Sequence, residues 1–287
     1  MQRFTLALIA LVISLPALAA TPNPFAHVEI TRERPRDHVF VLYGAGGNIG
    51  ASIGEDGTLL IDDQFAPLAE KILAALDAEG GDKPRIILNT HHHSDHVGGN
   101  AFFGRDGIII SHENVRARLS TSSRFSAEGL PHITYEDELV IHFNGDELTL
   151  MHMPHGHTDG DTLVWFKGAN VVHLGDHFFN GSLPFIDVGG GGSLAGYIQN
   201  LEYLLDRLPE DIVVIPGHGP VGTLTDIAAS VTMAVETKAI INQGLLDGLS
   251  DEAIAKNLRG YESWAKRSTK IDDWVRLVKS ELLKAEA

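Results

Sequence analysis

The chain contains no cysteine. That absence excludes disulfides, thiolate metal sites, iron–sulfur clusters and cysteine nucleophiles together. Positive charge is scarce: 22 Lys and Arg stand against 38 Asp and Glu in 287 residues, a formal net charge of −16. A surface that acidic repels nucleic-acid phosphates and anionic headgroups, which argues against both as partners and leaves a small molecule as the expected one. Beyond the N-terminus no hydrophobic run approaches membrane-spanning length. With 44% hydrophobic and 21% charged residues the chain is globular rather than disordered. Glycine (30) and histidine (15) are plentiful, and the histidines are the informative residues.

Met1–Ala20 reads as a secretory signal. Arg3 supplies a positive start, Leu6–Leu15 an apolar stretch too short to span a bilayer, and Ala17-Leu18-Ala19 a small-x-small cleavage site. The mature chain is then expected to begin near Ala20 or Thr21, to act in a periplasm or outside the cell, and to leave the membrane after cleavage. Residues 21–287 are expected to form one domain with helices at its C-terminus.

Short β-branched or apolar runs separated by turns predict strands at Val39–Tyr43, Asn48–Ile53, Thr58–Asp62, Arg85–Asn89 and Ile108–Ile110. The second half repeats the theme at Leu139–Phe143, Glu147–Met151, Leu163–Phe166, Val171–Leu174 and Ile212–Ile215. Asn144-Gly145-Asp146 supplies a hairpin turn between two of these runs. Helices are predicted from Pro67 to Gly80, at Glu113–Leu119, Leu194–Leu208 and Leu224–Leu245, and along Asp251–Ala285. Strand-rich units each followed by helices imply an α/β fold: two mixed sheets face to face with helices outside, a four-layered αββα sandwich.

The strand ending at Thr90 runs into His91-His92-His93-Ser94-Asp95-His96-Val97-Gly98-Gly99. His91 and His93, two apart on an extended chain, both turn toward one point, and Asp95 and His96 serve a second point close by. Gly98 and Gly99 are expected to let the backbone turn tightly past bound ions. Imidazole nitrogen and carboxylate oxygen without sulfur suit zinc first, and also manganese or iron(II). A solvated histidine-rich loop would explain this cluster alone. His157, Asp176 and His218 argue against that, because each lies at the C-terminal end of an apolar strand beside glycine, where α/β folds place ligands.

The set His91-x-His93-x-Asp95-His96, His157, Asp176 and His218, with Asp62 before it, resembles the ordered motifs of the metallo-beta-lactamase superfamily. The resemblance implies the αββα sandwich. It also implies that His91, His93 and His157 bind one zinc ion, that Asp95, His96 and His218 bind another, and that Asp176 bridges the two. A hydroxide shared by the ions is then the nucleophile on a carbonyl. Asp95 has the further role of orienting it and relaying its proton, and Asp62 that of fixing the histidine loop.

The commonest class B β-lactamases carry a cysteine where this chain has Asp176 and a nearby lysine for the drug carboxylate. The aspartate resembles instead glyoxalase II and lactonases, and Thr90–His96 matches the Thr-His-x-His-x-Asp-His of glyoxalase II. Lys256, Arg259, Lys266 and Lys270 do not match its glutathione-binding region. The reading is an exported dinuclear zinc hydrolase of an ester, lactone, thioester or lactam, with slow cleavage expected for lactams. The alternatives are a β-lactamase proper, a diiron redox protein and a non-catalytic metal-binding protein. His92 is expected to point away from the ligands. His155 and His177 either hydrogen-bond substrate or are plain loop residues. Phe178, Phe179, Leu183, Pro184 and Phe185, beside Gly189–Gly192, either wall a pocket or pack beneath the loop.

Overall fold

A computed structural model describes residues 23–266 and 269–285. Met1–Ala20, the expected signal segment, lies outside the described residues. Seven strands form the first sheet in sequence order: β1 (Thr31–Arg36), β2 (Val39–Tyr43), β3 (Ile49–Gly54), β4 (Gly57–Ile61), β5 (Ile86–Asn89), β6 (Ile108–His112) and β7 (Ile133–Tyr135). The first four pair antiparallel and the rest parallel, from β4 onward. The second sheet holds β8 (Glu138–Phe143), β9 (Asp146–His152), β10 (Thr162–Phe166), β11 (Val171–His173) and β12 (Val213–Ile215), antiparallel except for β11 with β12.

Side-chain alternation assembles the layers. In β2, Val39 and Val41 face the space between the sheets, while Phe40 and Leu42 face outward; in β4, Leu59 and Ile61 point in and Leu60 points out. The inward set meets Leu148, Leu150, Val164 and Phe166 of the second sheet. Outside the first sheet, Leu68, Ile72 and Leu76 bring α1 (Ala69–Asp77) onto Phe40, Leu42 and Leu60. Outside the second, α5 (Leu194–Leu205), α6 (Leu224–Leu246) and α8 (Ile271–Ala285) cover Leu163, Val172 and Val214. Each fully buried aliphatic contributes roughly 1.5–3 kcal/mol, so these three layers hold the sandwich. The expected αββα architecture is the one observed.

Three local differences have physical causes. The expected helix Asp251–Ala285 is broken into α7 (Asp251–Asn257), a 3-10 turn at Arg259–Trp264, and α8. The break lets Trp274 reach the core, where it is 0% exposed and its Nε1 donates to Thr237 Oγ1 at 3.0 Å. β1 escapes sequence reading because TRERPR is a charged, mostly exposed edge strand, and a register irregularity between Glu33 and Arg36 accommodates Pro35. Phe178 and Leu183 are core residues, so of the expected apolar wall only Phe179 and Phe185 border the cavity described below. Among the described residues no helix is long and apolar enough to cross a membrane.

The C-terminal ends of β4, β5, β11 and β12 meet at one edge. There Asn48 N donates to Gly217 O (2.7 Å), Asn48 Nδ2 to Pro216 O (2.9 Å), and Thr162 N to Thr90 O (2.8 Å), stitching the two halves together.

Candidate metal centre

At the end of β4 the chain turns at Asp62, whose φ of 63° lies in the left-handed region. Its fully buried carboxylate accepts from Thr90 N (2.8 Å), Thr90 Oγ1 (2.7 Å) and His96 Nδ1 (2.7 Å). The expectation that Asp62 holds the histidine loop matches these contacts. Beyond β5 the chain bends at His91, His93 caps a one-turn helix, α2 (Ser94–Val97), Asp95 and His96 occupy that turn, and a second one-turn helix, α3 (Asn100–Phe103), follows. Gly98 and Gly99 do not supply an unusual turn, since their φ values are −68° and −88°. Their missing side chains matter instead: a Cβ on Gly98 would lie 2.6 Å from Gln64 O, and one on Gly99 2.7 Å from Asp63 O. The loop and the Asp62 turn therefore approach backbone to backbone. Gly217 serves the same end, because a Cβ there would lie 2.1 Å from Asp176 Oδ1.

All seven expected ligands converge. Asp176 Oδ2 lies 3.5 Å from His157 Nε2 and 3.9 Å from His91 Nε2. Its other oxygen, Oδ1, lies 3.0 Å from His96 Nε2 and 3.3 Å from His218 Nε2. Asp95 Oδ2 is 3.4 Å from His218 Nε2. Donor atoms of His91, His93, His157 and Asp176 lie within 4.8 Å of one another, and so do those of Asp95, His96 and His218. One carboxylate thus turns an oxygen to each of two groups.

The family pattern of the metallo-beta-lactamase superfamily matches residues 44–218. The chain belongs to this superfamily. A hydroxyacylglutathione hydrolase of Rhodospirillum rubrum is 32% identical over 53% of this chain and 54% of its own. The human acyl-coenzyme A thioesterase MBLAC2 is 28% identical over 47% and 56%. The chain spans about half the length of the curated relatives it matches. A metallo-beta-lactamase from Pontibacter korlensis shares the fold with a TM-score of 0.62 at 18% identity, over 72% of this chain and 98% of that one.

Superfamily members bind metal ions, and the tautomers imposed here fit that use. Carboxylate and carbonyl oxygens only accept, so a ring nitrogen facing one carries the hydrogen. His96 Nδ1 therefore donates to Asp62, and His157 Nδ1 donates to Phe185 O at 2.6 Å. Thr90 Oγ1 commits its hydrogen to Asp62 and so accepts from His91 Nδ1 at 3.0 Å. His93 Nε2 donates to Asp187 Oδ2 at 3.0 Å. On His91, His93 and His157 the opposite nitrogens are left as lone pairs aimed inward, whereas His96 Nε2 faces Asp176 Oδ1 at 3.0 Å and carries a hydrogen that a cation would displace. His157 Nε2 and His93 Nδ1 face each other at 2.9 Å with no hydrogen to share. His91 Nε2 is buried without a hydrogen-bond partner. A cradle of converging lone pairs is costly alone and is satisfied by cations.

Electrostatics agree. Burial, then the neighbouring His96 and His157, hold His91 well below the usual imidazole range, and burial lowers His157. For His96 the burial penalty is outweighed by Asp176, Asp95 and Asp62, which raise it well above that range. For His218 burial is likewise outweighed, by Asp176 and Asp95, and its pKa rises to about 9. Burial would raise Asp176, but His218 and His96 hold it well below the carboxylate range. Protons on His96 and His218 therefore occupy the electrostatic place of a cation, and a metal must displace them.

Asp187 is the principal residue that sequence reading missed. Its Oδ1 accepts from Gly190 N (2.8 Å), and its backbone N donates to His157 O (2.9 Å). The loop carrying it thus orients His93 through a side chain and His157 through the carbonyl of Phe185. Nothing but its place before the glycine run marked it. His173, to which no chemistry was assigned, accepts from Gly175 N at 3.2 Å and donates to Asn48 O at 3.3 Å, bracing the turn that presents Asp176. His177 is buried against Asp161 (3.1 Å) and His155 is bonded to Gly191 O, so neither faces the cavity; His92 does. That cavity, about 610 Å³, opens over Asp95, Asp176 and His218.

Proposed function

We propose that the chain is an exported hydrolase that holds two zinc ions and opens a thioester or ester carbonyl. The observation that carries the reading is the division of the Asp176 oxygens between two imidazole groups. Nitrogen and oxygen donors without sulfur favour zinc. Divalent ions in this cradle would supply Lewis acidity, polarising a carbonyl and acidifying water toward neutral pH. The protein groups do the rest. Asp95 borders the cavity, and its pKa is lowered: burial, which raises it, is outweighed by His96 and His218. It is therefore ionised at neutral pH, placed to accept a proton from the attacking water and return it to the leaving sulfur or oxygen. Phe179 and Phe185 supply apolar wall beside the reacting centre and limit water there. Thioesters rank first because one relative is named an acyl-coenzyme A thioesterase and another a hydroxyacylglutathione hydrolase; export rests on the Met1–Ala20 pattern.

The test is elemental analysis with turnover. Purified protein should take up two zinc ions per chain, lose thioesterase activity to a chelator and regain it with zinc. Asp95→Asn should reduce kcat at least a hundredfold even in protein reloaded with zinc, because it removes both a ligand of the second ion and the proton acceptor. Protein that takes up no metal, or hydrolyses equally well without it, refutes the reading.

A further inference from the structure

The metal centre is only the floor of the cavity. One wall is formed by α4 (Glu113–Thr121) and the segment after it, which contribute Arg118, Leu119, Ser122, Arg124 and Phe125. In a chain with a net charge of −16, two arginines on one cavity wall are notable. They are not equivalent. Arg118 grips Asp159 with both prongs, Nε to Oδ1 at 2.7 Å and Nη2 to Oδ2 at 2.6 Å. Asp159 N in turn donates to Gly190 O (2.9 Å), and Asn114 Nδ2 donates to Asp159 O (2.9 Å). Arg118 is therefore a brace that fixes α4 against the Asp187 loop. Arg124 is exposed, and its guanidinium makes no ion pair or hydrogen bond among the described residues. The carboxylates that share the cavity are engaged elsewhere: Asp187 with His93, and Asp95 and Asp176 with His218.

The position of Arg124 is equally telling. A second hollow of about 280 Å³ adjoins the cavity and shares Ser94, Arg124 and Phe125 with it. Arg124 thus lines both spaces. A small acyl group is accommodated at the metal centre alone; a ligand that continues past Arg124 needs a longer leaving half. An arginine fork with no carboxylate of its own matches a carboxylate or a phosphate.

We propose that Arg124 is a specificity-determining anchor, and that the preferred substrates are thioesters whose thiol half carries a carboxylate or phosphate across it. This rests on the thioesterase reading above and names its substrate class.

Three probes with one acyl group separate the possibilities: the neutral N-acetylcysteamine thioester, the glutathione thioester with its carboxylates, and the coenzyme A thioester with its phosphates. Zinc-loaded wild type should show a kcat/KM at least tenfold higher for one or both charged probes, and raised salt should erode that preference. Arg124→Ala should reduce the charged-to-neutral ratio about tenfold or more, chiefly through KM, and Arg124→Lys should restore part of it. The charged probe that responds identifies carboxylate or phosphate as the anion read. Equal rates on all three probes, or an Arg124→Ala ratio equal to wild type, overturn the proposal. Calorimetric binding of the unreactive thioethers S-hexylglutathione and S-hexyl-coenzyme A supplies a second readout. Arg124-dependent binding of either one without turnover of any thioester would sustain the anchor and refute the thioesterase reading. Turnover with no dependence on Arg124 would do the reverse.

Discussion

Replacing Asp62 by Asn should separate metal affinity from stability. The carboxylate is fully buried and accepts three hydrogen bonds, from Thr90 N, Thr90 Oγ1 and His96 Nδ1. In Asp62→Asn the amide oxygen still accepts from Thr90 N, and the amide nitrogen takes the place of Oδ2 with two hydrogens to give. One goes to His96 Nδ1, which must then be a lone pair, so the hydrogen that His96 keeps is the inward one on Nε2. The other goes to Thr90 Oγ1, which turns its own hydrogen onto His91 Nδ1 and moves that ring's hydrogen to Nε2 as well. One substitution thus places a new hydrogen on the inward nitrogen of His91 and commits His96 to keeping its hydrogen on the inward nitrogen. The number of hydrogen bonds is unchanged, so the metal-free protein should lose only about 1 kcal/mol. Binding each ion then requires breaking one buried hydrogen bond of about 1–2 kcal/mol, or roughly a tenfold loss of affinity per site. Asp62→Ala, which strands three buried donors, should instead cost about 3–5 kcal/mol of stability. Competitive titration of zinc against a chromophoric chelator, with urea denaturation of the metal-free forms, measures both quantities. Wild-type affinity at both sites in Asp62→Asn would refute the tautomer argument.

Asp187→Ala should weaken zinc binding about tenfold, because His93 loses the acceptor that orients it; cobalt(II) titration would show the change as an altered visible spectrum, and a wild-type spectrum and affinity would contradict it. His173, held by burial at a pKa of about 4 against an unfolded value of about 6.5, is neutral in the fold. Between those values the unfolded chain binds more protons, so its contribution is fully present above pH 6.5 and about 3 kcal/mol is lost as pH falls to 4. Urea denaturation across that range should show a shallower loss for His173→Gln than for wild type; parallel curves would count against it. Trp274→Ala removes the largest buried side chain of α8 and the donor to Thr237, and should destabilise by about 3–5 kcal/mol in urea without altering metal affinity.

Much of the chemistry was readable in one dimension. Histidines and aspartates at strand ends beside glycines name their own donor atoms, and the seven that stand out are the seven that converge. Unbroken apolar runs at Val39–Tyr43 and Leu59–Ile61 likewise declare strands buried on both faces, because a strand without a polar side must be covered on each. The edge strand Thr31–Arg36 and the break before α8 were not legible, since neither carries a periodic apolar signal of its own. The tertiary structure alone decided which oxygen of Asp176 faces which imidazoles, and that Asp187, rather than His155 or His177, holds His93. It also decided that Gly98 and Gly99 are small for the sake of a neighbouring backbone. These are matters of distance between residues remote in sequence, set when the two sheets close on a shared core, and no local pattern encodes them.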